Sequence, residues 1–269
     1  MTDEPEPSLR IVVSGSGKMG REVLAAVYRE QGLTPVGVLE KFAAEDRIHL
    51  PDGESIPMSN DAAALIDLLR PDVIIDFTNA EWTCAFAPMA VESGVRLVIG
   101  TTGLPAGWVD EMDHRCRERK IGAVVSSNFA LGAVLMMHVA RVVAPFFDHA
   151  EIIELHHDEK VDAPSGTALQ TVRGMLEARG RPFVHPPTER QTLAGTRGGV
   201  EDGATIHSVR LPGLVAHQEV IFGGLGQTLT IRHDTTGREC YMPGIVMAAR
   251  AVMQKVGVVR GLEELMGLR

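Results

Sequence analysis

A chain of 269 residues that is 45% hydrophobic and 23% charged is long enough for two lobes or one large α/β unit and can bury a substantial core. Its formal charge of −9 argues against general nucleic-acid binding, which needs a basic face, and requires any anionic substrate to be drawn in by a local positive pocket. No apolar run approaches the roughly 20 residues of a spanning helix, so no membrane segment is expected.

The N-terminal MTDEPEPS is acidic and Pro-containing, the opposite of a basic signal-peptide start, and is expected to be a frayed tail. Cys84, Cys116 and Cys240 are odd in number, far apart and free of CxxC spacing, as in reduced cytosolic thiols. A cytoplasmic protein is expected.

The first half alternates strand and helix signals. Ile11-Val12-Val13 is followed by a glycine loop, then by Met19, Val23 and Val27 at helical spacing, with Gly32 as the stop. TPVGVLE ends at Glu40. A polar loop, the helical DAAALIDLLR and the strand DVIIDFT come next. WTCAFAPMAVESG reads as helix, with Pro88 expected to kink or end it. VRLVIGTTG, WVDEMDHRCRERK and IGAVVSSNF continue the alternation, which predicts a parallel sheet with helices on both faces.

Gly15-Ser16-Gly17-Lys18-Met19-Gly20 is a G-x-G-x-x-G between strand and helix, and Glu40 ends the next strand about twenty residues on. In a dinucleotide site such glycines let the backbone approach a pyrophosphate resting on the helix N-terminus, and the acid binds the adenosine ribose hydroxyls. Lys41 can meet a 2′-phosphate, so NADH and NADPH both stay open. Gly100-Thr101-Thr102-Gly103 and Ser126-Ser127-Asn128-Phe129 fall at two further strand ends, where small residues let a nicotinamide and its ribose lie against backbone. They serve equally well as strand-terminating turns.

After Phe129 the texture changes. LGAVLMMHVARVVAPFF reads as an amphipathic helix with Met136, Val139 and Val143 on its apolar face, followed by the strand EIIELHH and the helix GTALQTVRGMLEARG. A Pro/Gly-rich stretch from about Pro182 to Gly203 predicts a long, mobile loop. ATIHSVRL, HQEVIFGG and QTLTIRHD predict three strands. In the last, Thr228, Thr230 and Arg232 alternate with Leu229, Ile231 and His233, so one face is expected to be buried against helices. PGIVMAARAVMQKVG returns to helix and is expected to pack on the first lobe. The open sheet of the second lobe has edges to cover, which predicts a homo-oligomer.

EIIELHHDEKVDAPSGTALQ, residues 151–170, places an apolar strand against a burst of titratable groups. Pro164 before Ser165-Gly166-Thr167 fits a loop turning into a helix, whose unsatisfied first-turn N–H groups and dipole make an anion cradle. Lys160 adds a full positive charge, and His156 or His157 can exchange a proton near neutral pH. Asp158 and Glu159 are expected to face solvent and Asp162 to hold the loop through backbone hydrogen bonds. Cradle, cation and proton carrier together predict a reaction centre for an anionic small molecule. The plainer alternative is a solvated loop capping a helix. Metal binding is not expected, because neighbours on a strand point to opposite faces and no complementary Cys/His set follows.

HHDEKVDAPSGT resembles the signature of the bacterial dihydrodipicolinate reductases (4-hydroxy-tetrahydrodipicolinate reductases): a His-His pair, a Lys, then V-D-A-P-S-G-T. The resemblance extends over the glycine loop, Glu40-Lys41, DFT at 76–78, GTTG at 100–103, SSNF at 126–129 and SGTAL at 165–169. One departure is Ser14, where the family's common G-x-x-G-[RK]-M-G loop has its first Gly. The resemblance implies a Rossmann-like parallel-sheet nucleotide domain (1–127 and 240–269) and an α+β substrate and tetramerisation domain (128–239) with a mixed, largely antiparallel sheet. It implies NADH or NADPH as cofactor, a small dicarboxylate substrate in the diaminopimelate route to lysine, and a homotetramer. By motif, His156 and Lys160 are the catalytic proton donors, His157 a substrate contact, and Ser165, Gly166 and Thr167 the holders of a substrate carboxylate. The cofactor residues are Gly15, Ser16, Gly17, Lys18, Met19, Glu40, Lys41, Gly100, Thr101, Thr102, Ser126, Ser127, Asn128, Phe129 and Arg238. Lobe closure is expected to hinge at 127–130 and 236–240. A related imine or amino-acid dehydrogenase and a nucleotide-sensing regulator are the competing readings.

Overall fold

The computed structural model describes residues 8–268; the expected N-terminal tail lies outside them. The chain forms two compact units, one from the segment up to Leu131 together with Arg238 onward, the other from Gly132–Gly237.

The first unit is built on β1 (Leu9–Ser14), β2 (Leu33–Leu39), β3 (Arg47–His49), β4 (Ser55–Ser59), β5 (Val73–Asp76), β6 (Arg96–Ile99), β7 (Gly122–Val125) and a strand near the C-terminus, β13 in chain order (Gly257–Arg260). The sheet order is β13-β7-β6-β5-β1-β2-β4-β3, parallel except for β3 against β4. The expected parallel sheet is therefore present. β3 and β4 fall in the stretch read as a polar loop, and β13 begins where the stretch read as the closing helix ends, at Gly257. They are too short to show a period.

Helices α1 (Lys18–Arg29), α2 (Ala62–Leu69), α3 (Ala80–Glu92) and α4 (Trp108–Arg119) cross between the strands. α1 buries Gly20, Val23, Leu24 and Val27, a stripe at three- and four-residue spacing. Asp61 and Asn79 start α2 and α3 by accepting the N–H of Ala64 and Trp82. Pro88 does not end α3, which runs through it to Glu92. An interior proline costs roughly 3 kcal/mol. Phe86, Ala87, Ala90 and Val91 flank it and are fully buried, and each large apolar side chain returns about 1.5–3 kcal/mol, so packing outweighs propensity.

Cys116 lies on the buried face of α4. Burial, with the nearby Asp113 charge adding to it, pushes its thiol up to about 11. Only the thiolate reacts quickly. Cys116 is therefore expected to resist alkylation in the folded protein at mildly alkaline pH and to label only on unfolding. Peptide mapping after native labelling checks this, and prompt modification of Cys116 would show that the core of this unit opens readily.

In the second unit, helix α5 (Leu131–Val143) is followed by β8 (His149–His156), α6 (Gly166–Arg179), β9 (Gly199–Glu201), β10 (Ala204–Arg210), β11 (Ala216–Gly224) and β12 (Gln227–Thr235). The order β12-β11-β8-β10-β9 is antiparallel except for β10 beside β8. This is the expected mixed, largely antiparallel sheet. Ile152, Val220, Phe222 and Ile206 meet Ala168, Val172 and Met175 of α6 in its core. α6 ends at Gly180, which adopts the left-handed conformation.

Three expectations are corrected here. The 182–203 stretch is not all loop: β9 pairs antiparallel with β10, and Phe183 and Val184 donate their N–H groups to Asp202 and Asp148 carbonyls. The apolar face of α5 is Ala133, Val134, Met136, Met137 and Ala140, whereas Val139 is exposed. β12 buries only Thr235; Leu229 is exposed and Ile231 and His233 are half-buried. It is an edge strand paired on one side, so regular alternation does not bring burial with it. The closing helix α7 (Met242–Ala251) packs against α1, and a short α8 (Leu262–Leu265) follows β13.

Candidate active site

Strand order reverses at β1, with β2 on one side and β5 on the other. Ligands of open α/β sheets lie beyond the carboxyl ends of the strands at such a point. The loop leaving β1 there is Gly15 to Gly17, and Gly20 follows in the first turn of α1. Gly15 has φ +103°, a region L-side chains rarely adopt. A Cβ on Gly20 would stand 2.0 Å from the Gly15 carbonyl oxygen, so this glycine is what lets α1 begin so close to the strand. Gly17 caps α1 without a side-chain bond, no acid occupies its first turn, and open space lies where a Gly17 Cβ would go. The first N–H groups of α1 and the positive end of its dipole are thus available to an anion. A pyrophosphate fits this loop. Lys18 is exposed and Met19 half-buried beside it.

Ser14 is the last residue of β1 and fully buried, and its hydroxyl accepts the indole N–H of Trp82 at 3.2 Å. Glu40 accepts both the N–H and the hydroxyl of Ser16 at 2.7 Å. Partial burial opposes its ionisation, yet these bonds and the Phe42 N–H hold its carboxyl below the ordinary value. Lys41 pairs with Glu81 at 2.8 Å.

At the end of β5, the buried Asp76 carboxyl accepts the hydroxyls of Thr78 (2.7 Å), Thr83 (2.6 Å) and Thr101 (2.8 Å). The side chain of Thr101 is thereby committed to wiring the strand ends together, while Thr102 is exposed. A Cβ on Gly100 would lie 2.0 Å from the Phe77 ring, which packs edge-on against Phe129 at 5.3 Å. Phe129 is buried, so only its backbone can meet a ligand. Ser126 donates its hydroxyl to the Asn128 carbonyl, Asn128 accepts the Ala130 N–H, and Ser127 is exposed. Arg238 is exposed in a 3₁₀ turn ahead of α7. Asp76 carries no role in the sequence reading beyond its place in DFT. Its signal was a carboxylate closing a wholly apolar, buried strand.

In the second unit, β8 alternates buried and half-buried positions, with Ala150, Ile152 and Glu154 on the inner face. Glu154 is fully buried. Arg210, at the end of β10, donates to both of its oxygens at 2.8 and 2.9 Å, and the Ser165 N–H reaches one at 3.2 Å. His156 Nδ1 lies 2.5 Å from the other. Burial opposes ionisation of Glu154, but hydrogen bonds from Arg210, Ser208 and His156 together hold its carboxyl below the ordinary range. His156 is itself lowered, chiefly by burial; the Glu154 carboxylate opposes the shift and the Lys160 and Arg210 charges add to it.

Lys160 donates to Asp162 Oδ1 at 2.6 Å, and Arg210 donates to the Asp162 carbonyl at 2.6 Å. Asp162 thus acts through its carboxylate on Lys160, not only through backbone bonds. His157 falls just past the end of β8 and is exposed, as are Asp158 and Glu159. Ser165 is the buried N-cap of α6: its hydroxyl accepts the Ala168 N–H at 3.2 Å, and its own N–H is given to Glu154. Its backbone N–H and one hydroxyl lone pair are therefore used inside the protein, which leaves the hydroxyl proton to donate elsewhere. The next two amides, Gly166 and Thr167, open the helix where orphan N–H groups are found. His156, Lys160 and these amides come together around Glu154 and Arg210, which sequence reasoning missed. The available signal was a Glu on the apolar face of an alternating strand. Among the described residues, no group of three or more His, Cys, Asp or Glu side chains is placed to hold a metal ion.

Comparison with known proteins agrees in both units. The family described as dihydrodipicolinate reductase matches through its N-terminal part over residues 9–129 and its C-terminal part over residues 132–266. The 4-hydroxy-tetrahydrodipicolinate reductase of Dehalococcoides mccartyi strain BAV1 is 49% identical over 97% of this chain and 99% of its own. That of Moorella thermoacetica is 48% identical over 96% and 98%. A dipicolinate-bound dihydrodipicolinate reductase from Paenisporosarcina superposes with a TM-score of 0.86 at 39% identity, covering 96% of this chain and 99% of the other. With its two matched segments in chain order and its glycine loop and HHDEKVDAPSGT loop each on the expected element, the chain belongs to the dihydrodipicolinate reductase family.

Proposed function

We propose that this protein reduces 4-hydroxy-tetrahydrodipicolinate to tetrahydrodipicolinate with NADH or NADPH, releasing water, with His156 and Lys160 as proton donors. The observation that carries the reading is the loop after β8, where an imidazole, an ammonium group and two helix-start amides are gathered within twelve residues of a chain 49% identical to reductases of that name. A substrate with two carboxylates needs concentrated positive potential in a protein of net charge −9. Lys160, His157 and the N–H groups of Gly166 and Thr167 supply it.

Loss of the ring hydroxyl leaves a C=C–C=N system. A bound reduced nicotinamide supplies hydride to the carbon end of that system. The electron pair then moves toward the nitrogen and the adjoining carbon, and a proton delivered there completes the reduction. General acid help of this kind is worth about 10²–10⁴ in rate. His156 is held low by burial in the free protein, and a dianion beside it would stabilise the imidazolium. Substrate arrival is therefore what loads the acid.

The remaining cofactor assignments belong to the same proposal: the glycine loop with Lys18 and Met19, Glu40 and Lys41 at the adenosine ribose, the backbone of 100–102 and 126–129 at the nicotinamide, and Arg238. So do the domain limits, a cytoplasmic setting and a homotetramer joined through the second sheet. The tetramer reading is supported by β12, an edge strand with an exposed Leu229. No helix among the described residues is long and apolar enough to cross a membrane.

Purified protein is expected to oxidise NADH or NADPH on addition of enzymatically generated 4-hydroxy-tetrahydrodipicolinate, and far more slowly with other cyclic imines or 2-amino acids. Turnover only with one of those alternatives would make it a related dehydrogenase. Tight NAD(H) binding with no turnover on any imine would make it a sensor.

A further inference from the structure

We infer that Glu154 is the positioning residue of this site: it fixes His156 with the proton on Nδ1 and Nε2 free to exchange, and it anchors the loop that carries Lys160. The inference rests on the functional reading above. Glu154 touches neither proposed reactant. It is fully buried and acts through its partners.

The geometry leaves one consistent proton arrangement. An ionised carboxylate only accepts hydrogen bonds. Arg210 donates to both Glu154 oxygens, so the group 2.5 Å away on His156 must donate as well. That requires Nδ1–H and leaves Nε2 as the exchanging nitrogen, because the bond made by one ring nitrogen sets the role of the other. The same guanidinium holds the Asp162 carbonyl, and the Asp162 carboxylate holds Lys160. The Ser165 N–H, at the start of α6, closes on Glu154 from the other side. One buried carboxylate thus fixes the imidazole, the ammonium group's support and the first turn of the helix whose amides are proposed to receive a substrate carboxylate.

A buried Glu–Arg pair could have been merely a satisfied core element. What distinguishes a positioning role is that the third partner is a titratable ring at the end of the same strand. The charged groups around that ring are Glu154 on β8, Arg210 on β10 and Lys160 on the loop; β11 offers Ala216 opposite it. Only Glu154 favours the imidazolium. Removing its charge leaves two cations facing the ring, so the protonated form is lost at a lower pH.

The test has two arms. Imidazole ¹⁵N NMR of His156 in the unliganded wild-type protein is expected to show the Nδ1-protonated tautomer above its titration; the Nε2-protonated tautomer overturns the inference. For Glu154→Gln, kcat is expected to fall by about 10²-fold, within the range of general acid–base help. The cofactor dissociation constant should stay unchanged, and the alkaline limb of the kcat profile should move to lower pH. A folded Glu154→Gln with the wild-type profile also overturns it. Should that variant not fold, the tautomer in the wild type decides alone. Absence of wild-type turnover would instead defeat the functional reading, while the NMR arm still reports on Glu154.

Discussion

Lys160→Ala is expected to lower kcat by about 10²–10⁴-fold, the range spanned by a lost general acid, with cofactor affinity unchanged. The glycine loop, Glu40 and the strand-end turns that are proposed to hold the dinucleotide all belong to the first unit, and Lys160 to the second. The Michaelis constant should rise too, for a reason the structure makes specific. Lys160 neutralises Asp162 at 2.6 Å, and alanine leaves that carboxylate unpaired next to a dianionic substrate. Like charges at such range repel by up to several kcal/mol, depending on local dielectric. Adding Asp162→Asn to Lys160→Ala should therefore recover part of the Michaelis constant and none of kcat. Steady-state kinetics of Lys160→Ala, Asp162→Asn and the double variant beside wild type closes a double-mutant cycle and separates the contributions. An unaltered kcat in Lys160→Ala would remove Lys160 from the chemistry.

Gly20→Ala is expected to abolish cofactor binding and to lower stability by about 1–3 kcal/mol, the usual cost of overpacking. The added methyl would meet the Gly15 carbonyl oxygen at 2.0 Å, and a backbone atom in the first loop cannot rotate away. Either the Gly15 turn opens or α1 shifts from β1, and each displaces the amides proposed to receive the pyrophosphate. Gly17→Ala makes the informative contrast. Gly17 has φ −71° and open space at its Cβ position, so alanine there should leave the melting temperature nearly unchanged while obstructing the phosphate. Thermal unfolding combined with NADH fluorescence titration distinguishes the two. Gly20→Ala with wild-type affinity would mean that the cofactor is not held by this loop.

Much of this was legible from local signals. The alternation of apolar strands with helices of 3.6-residue period in the first half predicts a parallel sheet, since each element carries its own buried face in its spacing. The glycine loop is recognisable because its conformation is demanded locally, by Gly15 at positive φ and Gly20 under a carbonyl. HHDEKVDAPSGT is readable because its chemistry is contiguous. Short elements without a period, such as β4, β9 and β13, left no such trace. Pro88 shows the opposite failure: a strong local breaker was overruled by the burial of Phe86 and Val91 on either side of it. β12 shows a third kind, where alternation was present but the face of Ile231 and His233 is only half covered and Leu229 on the same face stays exposed.

By itself, then, the amino-acid sequence determined most element types, the two textures of the chain, the glycine loop after β1 and the cluster of titratable groups after β8. These depend on neighbours within a few residues. Only the tertiary structure decided that Glu154 and Arg210, 56 residues apart, meet at the base of that cluster, that Asp76 gathers three threonine hydroxyls, and that Ser165 spends its N–H inside the protein. Those facts follow from strand order and register, which bring β10 beside β8 and β6 beside β5. Hydrogen bonds between distant residues carry no period along the chain, so a buried carboxylate gains its role from whatever the fold sets against it.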